Sequence, residues 1–418
     1  MRMLVLGAGL QGSACAYDLL QNPDVTEVRL ADLRVDTLAP FLARYTDPAQ
    51  TGGAKPRLIP TPLDARDGEA VRALMRGADA AMSALPYYFN LDMARAAAAE
   101  GTHFCDLGGN TEIVFQQKAL DAEAKANNCS VVADCGLAPG MVNILAQHGI
   151  DLVRAEGARV TAVRIFVGGL PQQPEPPLNY QIVYSLEGVL DYYTTLSWVV
   201  RDGRRQQVTA LSEVERVDVE GVGELEAFHT AGGLSTMAWR YEGQVPTMEY
   251  KTLRYPGHAQ IMEAVRELGF LELDAVDVKG QRVAPRDVAV AVMGPRLRKP
   301  QRPDLVALRV VVEGERQGAA GEGGETVTRA WELVDRADEA RGLSAMMRTT
   351  GFSLSITGQL QASGRVPSGV WTPDEAMPAE EYVAELARRG VVIREADAER
   401  RGADDRRGAA ERRAAAGA

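Results

Sequence analysis

The sequence predicts an α/β chain: a doubly wound parallel sheet at the N-terminal end, and an inserted α+β domain with a mainly antiparallel sheet. Three observations point there. An apolar run at the start leads directly into glycines and a helix; strand-like and helix-like stretches then alternate to about residue 155; beyond that, strand-like runs follow one another. At 418 residues the chain exceeds one ordinary domain.

Met3-Leu4-Val5-Leu6 fits a buried parallel strand, and Gly7-Ala8-Gly9-Leu10-Gln11-Gly12 follows it and opens a helix to Gln21. A second strand, 25–31, ends at Asp32. Apolar spacing then predicts helices over 35–45, 67–75, 91–100 and 112–126, alternating with strands over 57–62, 78–83, 103–107 and 130–134. After a helix over 141–155, strands are expected over 160–167, 207–211, 224–229, 248–254, 306–312 and 326–334. The glycine-rich, charged stretch 314–324 reads as a mobile hairpin tip. Helical spacing returns over 343–360 and 379–389. The expected division is residues 1–142 with 340–392 returning, an inserted substrate and oligomerisation domain over 143–339, and a charged, flexible tail over 395–418.

A composition of 46% hydrophobic and 25% charged residues is that of a globular protein with ample core material. Lys and Arg number 46 against 57 Asp and Glu, a net charge of −11, so the long-range field opposes nucleic acid and anionic membranes as partners. Charges interrupt every apolar stretch before it reaches the ~18 residues of a membrane span, and the N-terminus lacks a secretory pattern, so a cytoplasmic location is expected. Cys15, Cys105, Cys129 and Cys135 form no C-x-x-C pair and read as buried reduced thiols. His103, His148, His229 and His258 have no zinc-ligand spacing, so no metal is expected.

The glycine turn has the context of a dinucleotide site. Gly7 permits the tight turn, Gly9 lets the backbone approach a pyrophosphate, Gly12 lets helix pack on strand, and Leu10 and Gln11 lie at the helix start. Asp32 can accept hydrogen bonds from ribose hydroxyls and would repel a 2′-phosphate, which favours NAD; Arg34 keeps NADP open. Ala84 and Leu85 follow the fourth strand where a cofactor would lie, and Tyr87 can border a substrate. Asp106, at the end of the next strand, can hold an ammonium or cap a turn. Further on, His229, Lys251 and Arg254 stand in polar clusters beside strands. Strand alternation sends Lys251 and Arg254 to opposite faces, and the default for each is a structural role.

Several motifs together are discriminating: the glycine turn, Asp106-Leu107-Gly108-Gly109, Gly136-Leu137-Ala138-Pro139-Gly140-Met141, Val167-Gly168-Gly169-Leu170-Pro171, Leu225 through Gly233, and Glu249-Tyr250-Lys251-Thr252 with Arg254-Tyr255 and Gly257-His258. The chain resembles the saccharopine dehydrogenase family, and within it the lysine 6-dehydrogenase branch. Ala138 departs from the Asp that saccharopine reductases tend to carry there. The resemblance implies NAD-dependent oxidative deamination of the ε-amine of L-lysine to a semialdehyde that cyclises to piperideine-6-carboxylate. That chemistry needs a base for the amine proton and a cation for the α-carboxylate. His229 is the expected proton-transfer group, Lys251 and Asp106 the alternatives, and Arg254 the carboxylate clamp. The resemblance, with strands around 305–334 whose edges need cover, also implies a homodimer built on the second domain. Two readings stay open: a saccharopine dehydrogenase acting on a secondary amine, and a non-catalytic regulator that binds a nicotinamide dinucleotide.

Overall fold

The computed structural model describes residues 1–46, 57–300, 302–316 and 324–396. Of the tail expected over 395–418, residues from 397 onward lie outside them while Glu395 is in a strand, and of the hairpin tip expected over 314–324, residues 317–323 lie outside them. In chain order the first stretch comprises β1 (Arg2–Leu6), α1 (Leu10–Leu19), β2 (Glu27–Asp32), α2 (Pro40–Ala43), β3 (Leu58–Pro62), α3 (Gly68–Met75), β4 (Ala80–Ser83), α4 (Asn90–Glu100), β5 (His103–Asp106), α5 (Thr111–Lys118), α6 (Asp121–Ala126), β6 (Ser130–Val132) and α7 (Met141–Ala155). Next come β7 (Ala158–Pro171), α8 (Leu186–Thr194), β8 (Ser197–Arg201), β9 (Arg204–Val208), β10 (Glu215–Val219), β11 (Gly223–His229), α9 (Met237–Arg240), β12 (Thr247–Arg254), α10 (His258–Glu267), β13 (Val276–Val278), β14 (Gln281–Val283), α11 (Pro285–Leu297), β15 (Asp304–Arg316) and β16 (Thr326–Arg336). The last stretch holds α12 (Phe352–Ala362), β17 (Gly369–Trp371), α13 (Pro373–Ala376), α14 (Ala379–Arg388) and β18 (Arg394–Glu395). Two compact units result: Met1–Gln147 with Ala337–Val392, and His148–Arg336 with the segment from Ile393.

The first unit is a doubly wound sheet with strand order β17-β6-β5-β4-β1-β2-β3, every pair parallel. The order reverses at β1 and β4, so their carboxyl ends border the crevice where such sheets hold ligands. Leu4, Leu6, Val71, Met75, Phe104 and Val131 share one core cluster, and burial of each large side chain stabilises by about 1.5–3 kcal/mol. The returning helix α12 lies close on this sheet because it carries a glycine where it crosses β4. A Cβ at Gly358 would sit 2.2 Å from Met82 Sδ. Polar ties fix it as well: Ser355 Oγ donates to Asp18, and Gln361 Nε2 to the carbonyls of Phe104 and Ser130.

The second unit has a nine-stranded sheet whose main path is β10-β11-β12-β7-β15-β16-β18. β12 and β7 run parallel and the other neighbours antiparallel. One face carries α8, α10 and α11 through Leu186, Leu190, Tyr193, Ala259, Met262 and Ala289, which cluster with Phe228 of β11. Of the strands expected to need edge cover at 305–334, β15 is interior, while β16 is paired on its outer side by β18 at Trp331 and Glu332 alone. The expected helix over 35–45 shrinks to Pro40–Ala43, because a residue preceding proline is pushed out of helical geometry. The strand expected over 207–211 is β9, earlier by three residues. Asp202 and Gly203, both at positive φ, make the two-residue hairpin turn that sets it. All four cysteines are buried free thiols.

Candidate functional site

The glycine turn shows which of its residues the fold requires. A Cβ at Gly12 would fall 1.8 Å from the Gly7 carbonyl oxygen, and Gly7, at φ +96°, packs against the Ala84 carbonyl with Leu85 beside it. Gly9 differs. A Cβ there meets nothing within 4 Å, although Gly9 is the N-cap of α1 and no side chain caps that helix. The helix therefore presents N–H groups and positive dipole to open space over a residue without a side chain, which suits a pyrophosphate. Leu10 is exposed at the first turn. The Gln11 amide has neither its nitrogen nor its oxygen hydrogen-bonded. Asp32 is oriented by two backbone donors, Ala8 N at 2.7 Å to Oδ2 and Arg34 N at 3.0 Å to Oδ1, which leaves each carboxylate oxygen room for a second donor.

At the carboxyl ends of β4 and β5 the residues lock together. Asp106 Oδ1 accepts from Gly108 N at 2.7 Å and its Oδ2 from Gln117 Nε2 at 2.7 Å, while Ser83 Oγ meets Asn90. Burial pushes the Asp106 carboxyl up to about 6 against the opposing pull of these hydrogen bonds. The group is fully enclosed, and its hydrogen bonds shape the loop. Tyr87 remains partly exposed. It rests beside Gly109, where a Cβ would lie 3.3 Å from its own.

In the second unit the register separates residues that the sequence reading joined. His229 pairs with Lys251 across β11 and β12, and Glu226 pairs with Arg254, so His229 and Arg254 lie on opposite faces. That corrects the expected pairing of a base and a carboxylate clamp in one pocket. His229 is wholly buried, with Nε2 at 3.3 Å from Arg201 and 3.4 Å from Glu213, and Nδ1 at 3.3 Å from the Tyr250 carbonyl. The His229 hydrogen bond, then that from Arg201, holds the Glu213 carboxyl well below the usual range, against partial burial. Lys251 Nζ donates to Glu215 Oε1 at 2.6 Å and to the Glu213 carbonyl at 2.8 Å. Both side chains are therefore occupied structurally, and neither offers a free base.

Arg254 is the exception. It is 4% exposed; its Nη1 donates to the Leu253 carbonyl, its guanidinium approaches the Tyr193 hydroxyl and lies 4.9 Å from the centre of the Tyr180 ring, and its Nε has no partner. No carboxylate pairs with it among the described residues. Glu226, directly opposite, instead accepts from Gly257 N at 2.9 Å and Ala259 N at 2.6 Å and so caps α10. Tyr193 is held by His258 Nε2 at 2.9 Å, and burial, then the nearby Arg254 charge, pushes the His258 imidazole down to about 3, so it is neutral. Sequence reading missed Glu226, Tyr180 and Tyr193. The proline and glycine before His258 signal a helix start, but only the register reveals which acid caps it.

Two family domain descriptions match the chain: "Saccharopine dehydrogenase NADP binding domain" over residues 3–133 and "Saccharopine dehydrogenase C-terminal domain" over residues 136–391. The chain belongs to the saccharopine dehydrogenase family. Among relatives in this family, saccharopine dehydrogenase [NADP(+), L-glutamate-forming] of Saccharomyces cerevisiae is 23% identical over 310 residues, 73% of this chain and 66% of the yeast protein. The mitochondrial alpha-aminoadipic semialdehyde synthase of Mus musculus is 24% identical over 282 residues, 66% of this chain but 29% of the mouse protein. The chain thus spans two thirds or less of the curated relatives it matches. The apo structure of the yeast L-Glu-forming saccharopine dehydrogenase shares the fold, with a TM-score of 0.74 at 21% identity, covering 94% of this chain and 99% of that one. Family membership also makes the glycine turn part of a nicotinamide dinucleotide domain, as the open space over Gly9 suits.

Proposed function

We propose that this chain is an oxidoreductase that uses NAD to oxidise the ε-amine of L-lysine, with Arg254 binding the α-carboxylate. The observation that carries the reading is the acid-free guanidinium of Arg254, buried among tyrosines while the facing Glu226 is committed to a helix cap. A buried cation without a counter-charge is costly, and a substrate carboxylate removes that cost. One such cation matches the single carboxylate of lysine. Saccharopine carries three and asks for more.

A bound nicotinamide dinucleotide supplies the hydride acceptor. Asp32, fixed by two backbone donors, would meet ribose hydroxyls and disfavour a 2′-phosphate, which supports NAD. Arg254 fixes one end of the substrate, and Tyr193, tethered to His258, keeps the guanidinium in place. The amine gives up its proton before hydride leaves, since its lone pair must form the iminium. His229 and Lys251 are each engaged in buried hydrogen bonds, which supports a proton acceptor other than these two. A second reading, a saccharopine-type secondary amine with NADP, is favoured by the names of the relatives and by the exposed Arg34. Initial rates with NAD and NADP against lysine and saccharopine, followed at nicotinamide absorbance, decide between them. The proposal expects the highest kcat/KM for lysine with NAD; a higher value for saccharopine with NADP overturns it.

A further inference from the structure

A cavity of about 470 Å³ opens within the second unit, between the segment that follows β7 and the helices α10 and α11. Its wall is apolar, formed by Leu178, Ile261, Met262, Val265, Met293 and Leu297, and the volume falls in the range of small-molecule sites. Its polar residues are unevenly charged. Arg296, Lys299 and Arg302 line it against one carboxylate, Glu175, which Arg302 meets at 2.5 Å and Lys299 at 3.8 Å. That leaves two positive charges in excess, on a chain whose net charge is −11. Two further lining residues, each at least nine-tenths buried, hold unused polar atoms. The Tyr180 hydroxyl has no partner of hydrogen-bond geometry, only a weak approach from the Val183 backbone, and Gln181 Oε1 has none.

We infer that this cavity is a second ligand site, which takes an amphipathic carboxylate: an alkyl tail against the apolar wall and a carboxylate against the Arg296, Lys299 and Arg302 side. Apolar burial supplies affinity, and the excess positive charge selects the anion over a neutral or cationic amphiphile. Tyr180 also carries Arg254 on its ring, so occupancy would be sensed at the proposed carboxylate clamp. The site itself does not depend on the proposed reaction, and its test reads binding alone.

Decanoate, titrated calorimetrically into the full chain, is expected to bind saturably with one site per chain, and decyltrimethylammonium is not. Val265→Trp, which fills the cavity, should weaken decanoate at least tenfold, and the double variant Arg296→Glu, Lys299→Glu should do the same without filling it. Circular dichroism establishes that each variant is folded. Absence of saturable decanoate binding, equal binding of the cationic amphiphile, or undiminished affinity in both folded variants overturns the site, whatever the enzyme oxidises.

Discussion

Glu226 and Arg254 stand opposite each other in the β11–β12 register, yet they form no ion pair. Their separation is a matter of competing partners. The N-terminus of α10 offers Glu226 two backbone donors, and Gly257, at φ +91°, brings them within reach. Arg254 is left with a carbonyl, a tyrosine hydroxyl and a ring face, which suffice to hold its plane but not to neutralise it. The proposed carboxylate clamp rests on this state of Arg254.

Arg254→Lys should therefore raise KM for the carboxylate substrate roughly 10- to 100-fold with a smaller change in kcat, as expected for losing a charge-assisted, two-pronged contact while keeping the charge. Glu226→Gln should leave KM nearly unchanged and lower stability by about 1 kcal/mol through the weakened helix cap. Initial-rate kinetics and urea unfolding on the two variants read these outcomes. A raised KM in Glu226→Gln with unaltered stability would place the acid in the substrate site instead.

His229 should behave as a structural residue. His229→Gln is expected to retain kcat and its pH profile, because the ring is enclosed on the face away from Arg254. Its effect should appear in acid stability. The lowered Glu213 carboxyl gives stability that is present above its ordinary value of 4.5 and lost as pH falls toward the depressed value. Losing the His229 hydrogen bond removes part of that, so the variant should show a shallower decline in melting temperature below pH 4.5. A kcat collapse with intact fold would restore His229 as a proton-transfer group.

What the sequence made legible is local. The β1 strand, the glycine turn, α1 and Asp32 are contiguous, and each has a steric or charge reason that a short window contains. The β8–β9 turn was equally local, but its Asp202-Gly203 signal lay before the stretch read as a strand. The second-unit site was not legible for another reason. Whether Arg254 is free depends on where Glu226, 28 positions earlier, spends its oxygens, and the fate of His229 depends on Arg201 and Glu213 arriving from other segments. Alternation along β12 did separate Lys251 from Arg254, yet His229 could be placed only once β11 was in register with it.

Asp106 makes a separate pH prediction. Its folded value of about 6 lies above the ordinary 3.8, so the folded chain holds the proton more tightly. Stability linked to this group is present below pH 3.8 and declines as the pH rises to about 6, by on the order of 3 kcal/mol. Asp106→Asn cannot ionise, and Gln117, whose Oε1 has no partner, can turn its amide to meet the new donor. The variant should be at least as stable as the parent at pH 7 and should lose the decline between pH 4 and 6 in urea unfolding. A decline that persists in the variant would assign it to other groups.

The glycine turn offers the sharpest separation of ligand from fold. At Gly12 a methyl group would collide with the Gly7 carbonyl at 1.8 Å, so Gly12→Ala must displace α1 from β1 and should cost about 3 kcal/mol, measured as a fall in melting temperature. At Gly9 the same methyl meets no protein atom within 4 Å, and the backbone, at φ −70°, is one that alanine adopts freely. Gly9→Ala should therefore match the parent in stability while losing nicotinamide dinucleotide affinity at least about tenfold, because the methyl occupies the approach to the α1 N–H groups. Fluorescence titration with NADH reads the second effect and thermal unfolding the first. If Gly9→Ala keeps parental affinity, the dinucleotide does not lie over the α1 N-terminus, and the assignment of the first unit's ligand site fails with it.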